Sequence, residues 1–284
     1  SGDSRWKLPG TNTYLANEEG QSCGATKVTM TLALANSCNV AFGQLGDALG
    51  NSAISTQAER FGFGQRYFNE LDDTLVHQST SVFPSTANRP NTVLSAIGQY
   101  ETTATPLQMA LVAAGIANGG TVMAPYLVNG IQAPNLNMVY QATPKPLNSS
   151  QPAVSPSVAT QLTQMMSAVV QYGTGTTAQI PGIQVAGKTG TAQSCNTCNP
   201  YSWFVSFGPT TNAKVAVAVQ LQFLEQPTTT QAMNAVDIAL GIRPGSGTYV
   251  ARSNITGRGF AAPVAKCVME AVITPNNLTA DCKA

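Results

Sequence analysis

"VAGKTGTAQSC", Val185 to Cys195, sets a lysine and two glycines inside a stretch whose flanks read as buried strand. Working outward, "IQVAGKTGTAQ", "SWFVSFGP" and "KVAVAVQLQF" carry a period of two, the last through Val215, Val217, Val219, Leu221 and Phe223. The pattern predicts three strands of an antiparallel sheet with one face buried. K-T-G alone is a weak signal, because three common residues recur by chance. Its weight depends on what accompanies it.

The rest of the chain turns helical. Residues 26 to 50, "TKVTMTLALANSCNVAFGQLGDALG", read as two helices broken near Ser37, the second with Ala41, Leu45 and Ala48 along one face. "TATPLQMALVAAGIANGG" has Thr105 as N-cap, Pro106 in the first turn, Gln108 as capping-box partner and an apolar face of Leu107, Leu111 and Ala114. A further helix starts at Ser155-Pro156 and carries Val158, Leu162, Met165 and Val169. Its methionines read as core filler rather than ligands. Residues 259 to 273 return to helical spacing through Ala261, Val264, Val268 and Ala271, predicting a terminal helix that covers the sheet. Residues 65 to 93, with Pro84 and Pro90, read as one long irregular segment, and 224 to 258 as a loop-bearing insertion. The fold class is α+β in a single domain.

Formal net charge is +1 and 10% of the 284 residues are charged, against roughly 25% for an average domain. This excludes a basic nucleic-acid surface. A surface made polar by Thr, Ser, Asn and Gln resembles that of exported bacterial proteins. No run approaches the roughly 18 apolar residues of a membrane span. Of six cysteines, Cys195 and Cys198 form a C-x-x-C, yet a second pair or histidines at ligand spacing are missing, so neither a metal nor another cofactor is expected. Disulfides suit an oxidising compartment. His77, the only histidine, lacks a G-x-S-x-G elbow and reads as a surface residue rather than the base of a Ser-His-Asp hydrolase.

The helix break supplies what K-T-G needs. Ser37-Cys38-Asn39 is an S-x-N, and it precedes K-T-G-T by about 150 residues. The pair resembles the signature of penicillin-binding protein transpeptidases and serine β-lactamases, S-x-x-K, then S-x-N, then K-T/S-G. The flanks extend the likeness: "ANSCNVAFGQLG", "IGQYETTATPLQMALVAAGIANGG", "VAGKTGTAQ" and "FVSFGP" are similar to class B penicillin-binding proteins, nearest the mycobacterial penicillin-binding protein A type. The resemblance implies that fold, with an antiparallel sheet flanked by helices. It also implies D,D-transpeptidation: a serine attacks the carbonyl between two terminal D-alanines of a peptidoglycan stem peptide, and a neighbouring amine resolves the acyl-enzyme.

Carried over by motif, Ser37 relays a proton to the leaving D-alanine, Asn39 holds the donor amide, and Lys188 supplies positive potential. Thr189, Gly190 and Thr191 bind substrate or β-lactam, Gly190 as a bare strand edge and Thr191 through its N–H and hydroxyl. Implied partners are stem peptides, β-lactam antibiotics and membrane proteins of cell division or elongation, with no nucleic acid. The implied place is the extracytoplasmic face of a bacterial membrane.

The first motif departs from the family. The only S-x-x-K is Ser4 to Lys7, and Pro9 would stop the helix that this motif opens. The expected nucleophile therefore lies upstream, with the membrane anchor, and residues 1–284 are the C-terminal part of the transpeptidase domain. A catalytically dead binding or scaffold relative is the alternative, as is a D,D-carboxypeptidase or β-lactamase that uses water, for which Glu101 is the acid to consider. A bridge between Cys23 and Cys38 is expected, closing a loop of about 15 residues worth about 3 kcal/mol in the chain-entropy model. A buried free Cys38 thiol is the alternative.

Overall fold

The computed structural model describes residues 1–24, 26–68, 77–148, 151–195, 198–222 and 255–283. A hairpin of β1 (Arg5–Lys7) and β2 (Tyr14–Ala16) opens the chain, followed by helices α1 (Met30–Ala35), α2 (Asn39–Leu49), α3 (Asn51–Arg60), α4 (Arg89–Ser95) and α5 (Pro106–Ala117). A second hairpin, β3 (Gly130–Gln132) and β4 (Met138–Gln141), precedes helix α6 (Pro156–Gln171). Then come β5 (Ala186–Ala192), β6 (Tyr201–Gly208), β7 (Val215–Leu221) and the terminal helix α7 (Ala262–Ile273).

The three predicted strands form one antiparallel sheet in the order β5-β6-β7. Sequence suggested one buried face, and the structure corrects this: both are covered. Phe204 and Phe207 are three residues apart on β6 and so project to opposite sides; each is fully buried. Phe204 packs with Val217 against Ala262, Ala265 and Met269 of α7. Phe207 packs with Ala186 against Ala113 and Ile116 of α5 and Met166 of α6. Polar residues are buried in the same strand, for Ser202 and Ser206 are also fully buried. Ser202 is satisfied by donating to the Thr256 carbonyl at 2.8 Å. Phe223 and residues 224–254 of the expected insertion lie outside the described residues.

The predicted helices form, but several bury a different stripe. In α2 the buried residues are Val40, Gly43 and Gly46, whereas Leu45 is exposed and Ala41 half-buried. The glycines explain it: a Cβ at Gly43 would lie 2.5 Å from Leu15 Cδ2, and one at Gly46 2.3 Å from Ala96 Cβ. Backbone approach outweighs side-chain size on that face. In α5 the N-cap holds, Thr105 Oγ1 accepting from the Gln108 N–H at 3.1 Å. The Gln108 side chain, expected to complete a capping box, instead donates to the Phe61 carbonyl at 2.8 Å and accepts from the Tyr67 hydroxyl. Leu107 is exposed. Val158 on α6 and Val268 on α7 are exposed too, and α7 turns Lys266, Met269 and Glu270 inward.

Residues 65–93 are not irregular throughout, since α4 begins at Arg89, capped by Asn88 and helped by Pro90. His77 is exposed.

The carboxyl end is clasped to α7. Lys266 Nζ lies 2.7 Å from Asp281 Oδ2 and 3.8 Å from Glu270 Oε1. Glu270 accepts from the Thr279 N–H at 2.8 Å and its hydroxyl at 2.9 Å, and Cys267 is bridged to Cys282.

Candidate active site

Helix α1 ends two residues before the S-x-N. The Ser37 N–H donates to the Leu34 carbonyl at 3.1 Å and the Cys38 N–H to the Ala33 carbonyl at 2.9 Å. This is a Schellman motif, whose turning residue is usually glycine. Here it is Ser37, at φ 54°. The left-handed conformation costs a residue with a Cβ roughly 1–2 kcal/mol, and strain of that kind persists where surrounding structure over-determines it. Cys38 then occupies the N-cap position of α2, and Asn39 its first helical position.

Three ties hold the turn. Cys38, fully buried, is bridged to Cys23. Asn39 Nδ2 donates to the Ala16 carbonyl at 3.2 Å. Asn17, buried, accepts the Val40 N–H at 2.9 Å and donates to the carbonyls of Asp3 at 2.8 Å and Gln21 at 2.9 Å. A side chain 23 residues away thus caps α2. Nothing in the local sequence around Asn17 announces this.

Strand β5 forms the other wall and is an edge strand among the described residues. Lys188 pairs in register with Val205, Thr189 with Phe204, Gly190 with Trp203 and Thr191 with Ser202. From β5 the half-buried Lys188 reaches the turn, Nζ donating to Ser37 Oγ at 2.8 Å and to the Thr189 carbonyl at 2.6 Å. Burial lowers its ammonium from the ordinary 10.5 to about 8, and the charge of Glu18 partly opposes this. Both partners are neutral acceptors, so Lys188 is held near the boundary between charged and neutral forms, where it can keep a proton mobile.

Gly190 has a packing reason to be glycine: a Cβ there would lie 3.1 Å from Trp203 Cβ. Gly257, which the motifs did not single out, is tighter still, because its Cβ would fall 2.1 Å from the Trp203 carbonyl oxygen and 2.8 Å from both N and O of Gly190. Thr191 is half-buried, whereas the Thr189 hydroxyl is buried against that of Thr174 at 2.6 Å.

Ser4 and Lys7 belong to the opening hairpin. Residues 5–7 are strand β1, so the two side chains are separated by three extended residues, roughly 10 Å. They cannot stack as one turn of helix. Glu101 sits in an exposed turn before α5. Cys195 and Cys198 are bridged to each other, and among the described residues no group of His, Cys, Asp and Glu could hold a metal ion.

A sheet with helices on both faces, an S-x-N turn at a helix junction and a K-T-G edge strand meeting it define a class. The penicillin binding protein transpeptidase domain matches residues 3–236, and the chain belongs to that family. Among its relatives, the peptidoglycan D,D-transpeptidase PbpA of Mycobacterium tuberculosis is 33% identical over 274 residues, covering 94% of this chain and 48% of that protein. The PbpA of Mycolicibacterium smegmatis is 37% identical over 226 residues, covering 77% and 44%. The imipenem acyl-enzyme complex of M. tuberculosis penicillin-binding protein A superposes with a TM-score of 0.75 at 30% identity, over 96% of this chain and 55% of that one. The chain spans about half the length of these relatives.

Proposed function

We propose that the protein containing these residues is a peptidoglycan D,D-transpeptidase, acylated on serine and inhibited by β-lactams. The observation that carries the reading is the 2.8 Å contact of Lys188 Nζ with Ser37 Oγ, made between residues 151 apart. It joins the two motifs, separated in sequence, in one polar site. The names of the two mycobacterial relatives, both D,D-transpeptidases, support the same chemistry.

In this reading a serine hydroxyl attacks the carbonyl between the terminal D-alanines, and its proton passes through Ser37 to the departing amine. A stem-peptide amine then attacks the ester, forming the cross-link and giving up a proton that restores the serine hydroxyl. Lys188 holds the relay in a positive potential and faces the substrate carboxylate. Asn39 holds the donor amide. The edge of β5 at Thr189, Gly190 and Thr191 receives the peptide as an added strand, with the Thr191 N–H at the oxyanion. Because Lys7 lies in strand β1 and Ser4 immediately before it, the acylated serine is assigned to an S-x-x-K outside residues 1–284. The site works on the extracytoplasmic side of the membrane, a setting that three disulfides suit.

The strand that follows Ser4 and includes Lys7 equally favours a second reading, a binding module without a nucleophile. Fluorescent penicillin distinguishes the two when applied to residues 1–284 and to the full-length gene product. Labelling of the full-length protein alone supports the enzyme, and labelling of neither supports the binding module. Labelling of residues 1–284 would overturn the assignment of the nucleophile. Turnover of penicillin, in place of a persistent adduct, would make water the acceptor.

A further inference from the structure

Ser37 and Lys188 stand on separate elements, and the loop after α6 touches both. The Thr174 N–H donates to the carbonyl of Ala35 at 2.9 Å, two residues before Ser37. The Thr174 hydroxyl lies 2.6 Å from that of Thr189, the residue after Lys188. The neighbouring glycines make room for this. A Cβ at Gly173 would fall 2.3 Å from the Ala35 carbonyl oxygen, and one at Gly175 would fall 3.1 Å from Val169 Cγ1 and 3.2 Å from Phe204 Cε2. The Gly175 N–H is itself anchored on the Val169 carbonyl at 2.9 Å.

We infer that Thr174 is a positioning residue that sets the separation of the Ser37 turn from the Lys188 strand, bracing α1 with its N–H and β5 with its hydroxyl. The inference deepens the transpeptidase reading and rests on it for the catalytic consequence. The brace meets each wall within two residues of the group it positions. A shift of a few tenths of an ångström at either end therefore reaches the Lys188–Ser37 contact almost undamped. Removing the hydroxyl leaves that of Thr189 buried without this partner, and a valine would also press a methyl into a 2.6 Å contact. β5 must then move away from α1, admitting water to Lys188 Nζ.

The test uses the full-length protein with Thr174→Val, Thr174→Ala and Thr174→Ser, read in two ways. The first is the acylation rate constant with fluorescent penicillin from pH 6 to 10. The second, independent of any activity, is acetic anhydride labelling of Lys188 followed by peptide mass spectrometry. In Thr174→Val and Thr174→Ala, acylation should fall at least about tenfold and its alkaline limb should move to higher pH. Labelling of Lys188 at pH 8 should drop several-fold as the better-hydrated amine holds its proton. Thr174→Ser should stay within about twofold of the parent in both. Should Thr174→Val not fold, the alanine variant, which adds no methyl, decides. A lower melting temperature with an unmoved pH limb and unmoved labelling would show a merely structural threonine and overturn the inference. If the parent protein is not acylated at all, the transpeptidase reading fails, and the labelling series still decides whether Thr174 positions Lys188.

Discussion

Two lysines are drawn out of solvent in this chain, and their surroundings differ in kind. Lys266 meets carboxylates, Asp281 at 2.7 Å and Glu270 at 3.8 Å, with a disulfide spanning 15 residues beside it. Lys188 meets a hydroxyl and a carbonyl, and a disulfide of the same span clamps the residue next to that hydroxyl. The first lysine is met by opposite charge and serves the fold. The second is desolvated without an ion-pair partner among the described residues, which costs stability and leaves its proton available. Perturbed groups of that kind gather where chemistry is done.

The largest effect that would break this contrast is at the carboxyl-terminal clasp. Lys266→Met leaves Glu270, fully buried, without its cation and should cost about 3–5 kcal/mol in urea unfolding. The acylation rate of the molecules that remain folded should be unchanged. A loss under 1 kcal/mol would mean that the Thr279 hydrogen bonds alone satisfy Glu270.

Breaking the two disulfides in turn sharpens the comparison. Each closes 15 residues, so Cys23→Ala/Cys38→Ala and Cys267→Ala/Cys282→Ala should each lose about 3 kcal/mol. Only the first pair should also slow acylation of the full-length protein, by about tenfold, because only it constrains the Ser37 turn. Equal rates in the two double variants would remove that link.

Lys188→Met should behave oppositely to Lys266→Met, gaining about 2 kcal/mol at pH 7 once the relieved desolvation is set against the lost hydrogen bonds. Acylation should be abolished. The pH dependence follows from the same shift. With the folded-state value lowered to about 8 from 10.5, the unfolded chain binds more protons between those limits. Stability therefore rises as pH climbs from about 8 to 10.5, and this increment is absent below 8. Unfolding titrations at pH 7, 8, 9 and 10 should show the rise in the parent and a flatter profile in Lys188→Met. A parent profile as flat as the variant's would place the lysine in water.

The smallest effect is at Asn17. Asn17→Ala removes the cap of α2 and two carbonyl partners and should cost about 1–2 kcal/mol by thermal melting. An unchanged melting temperature would show that solvent replaces all three bonds.

What the sequence disclosed, and what it hid, follows from burial. The three sheet strands and helices α5, α6 and α7 bury apolar side chains, and a periodic pattern is the trace of that burial, whereas α1 and α2 bury only Ala33, Ala35, Val40, Gly43 and Gly46. Helix α3 buries only Ser55, and every residue of β3 and β4 is exposed, so these elements left no apolar rhythm to read. Faces were misjudged where small residues pack, as at Gly43 and Gly46, or where polar groups turn inward, as at Lys266 and Glu270. Ser37 and Lys188 were legible because each belongs to a short motif of defined order. Asn17, Thr174 and Gly257 were not, because their contacts with Val40, with Thr189, and with Trp203 and Gly190 span 23, 15 and about 54 to 67 residues, and hydrogen bonds or close approaches over such separations have no local signature.

The left-handed backbone at Ser37 also narrows what drift could ever place there. Conformation admits glycine freely, asparagine and aspartate with little difficulty, and rejects β-branched side chains. The proton relay proposed for this position demands a hydroxyl, which excludes the first three, and threonine, the other small alcohol, is β-branched. Among small side chains the two filters overlap on serine alone, so no other small residue keeps both the turn and the proposed relay.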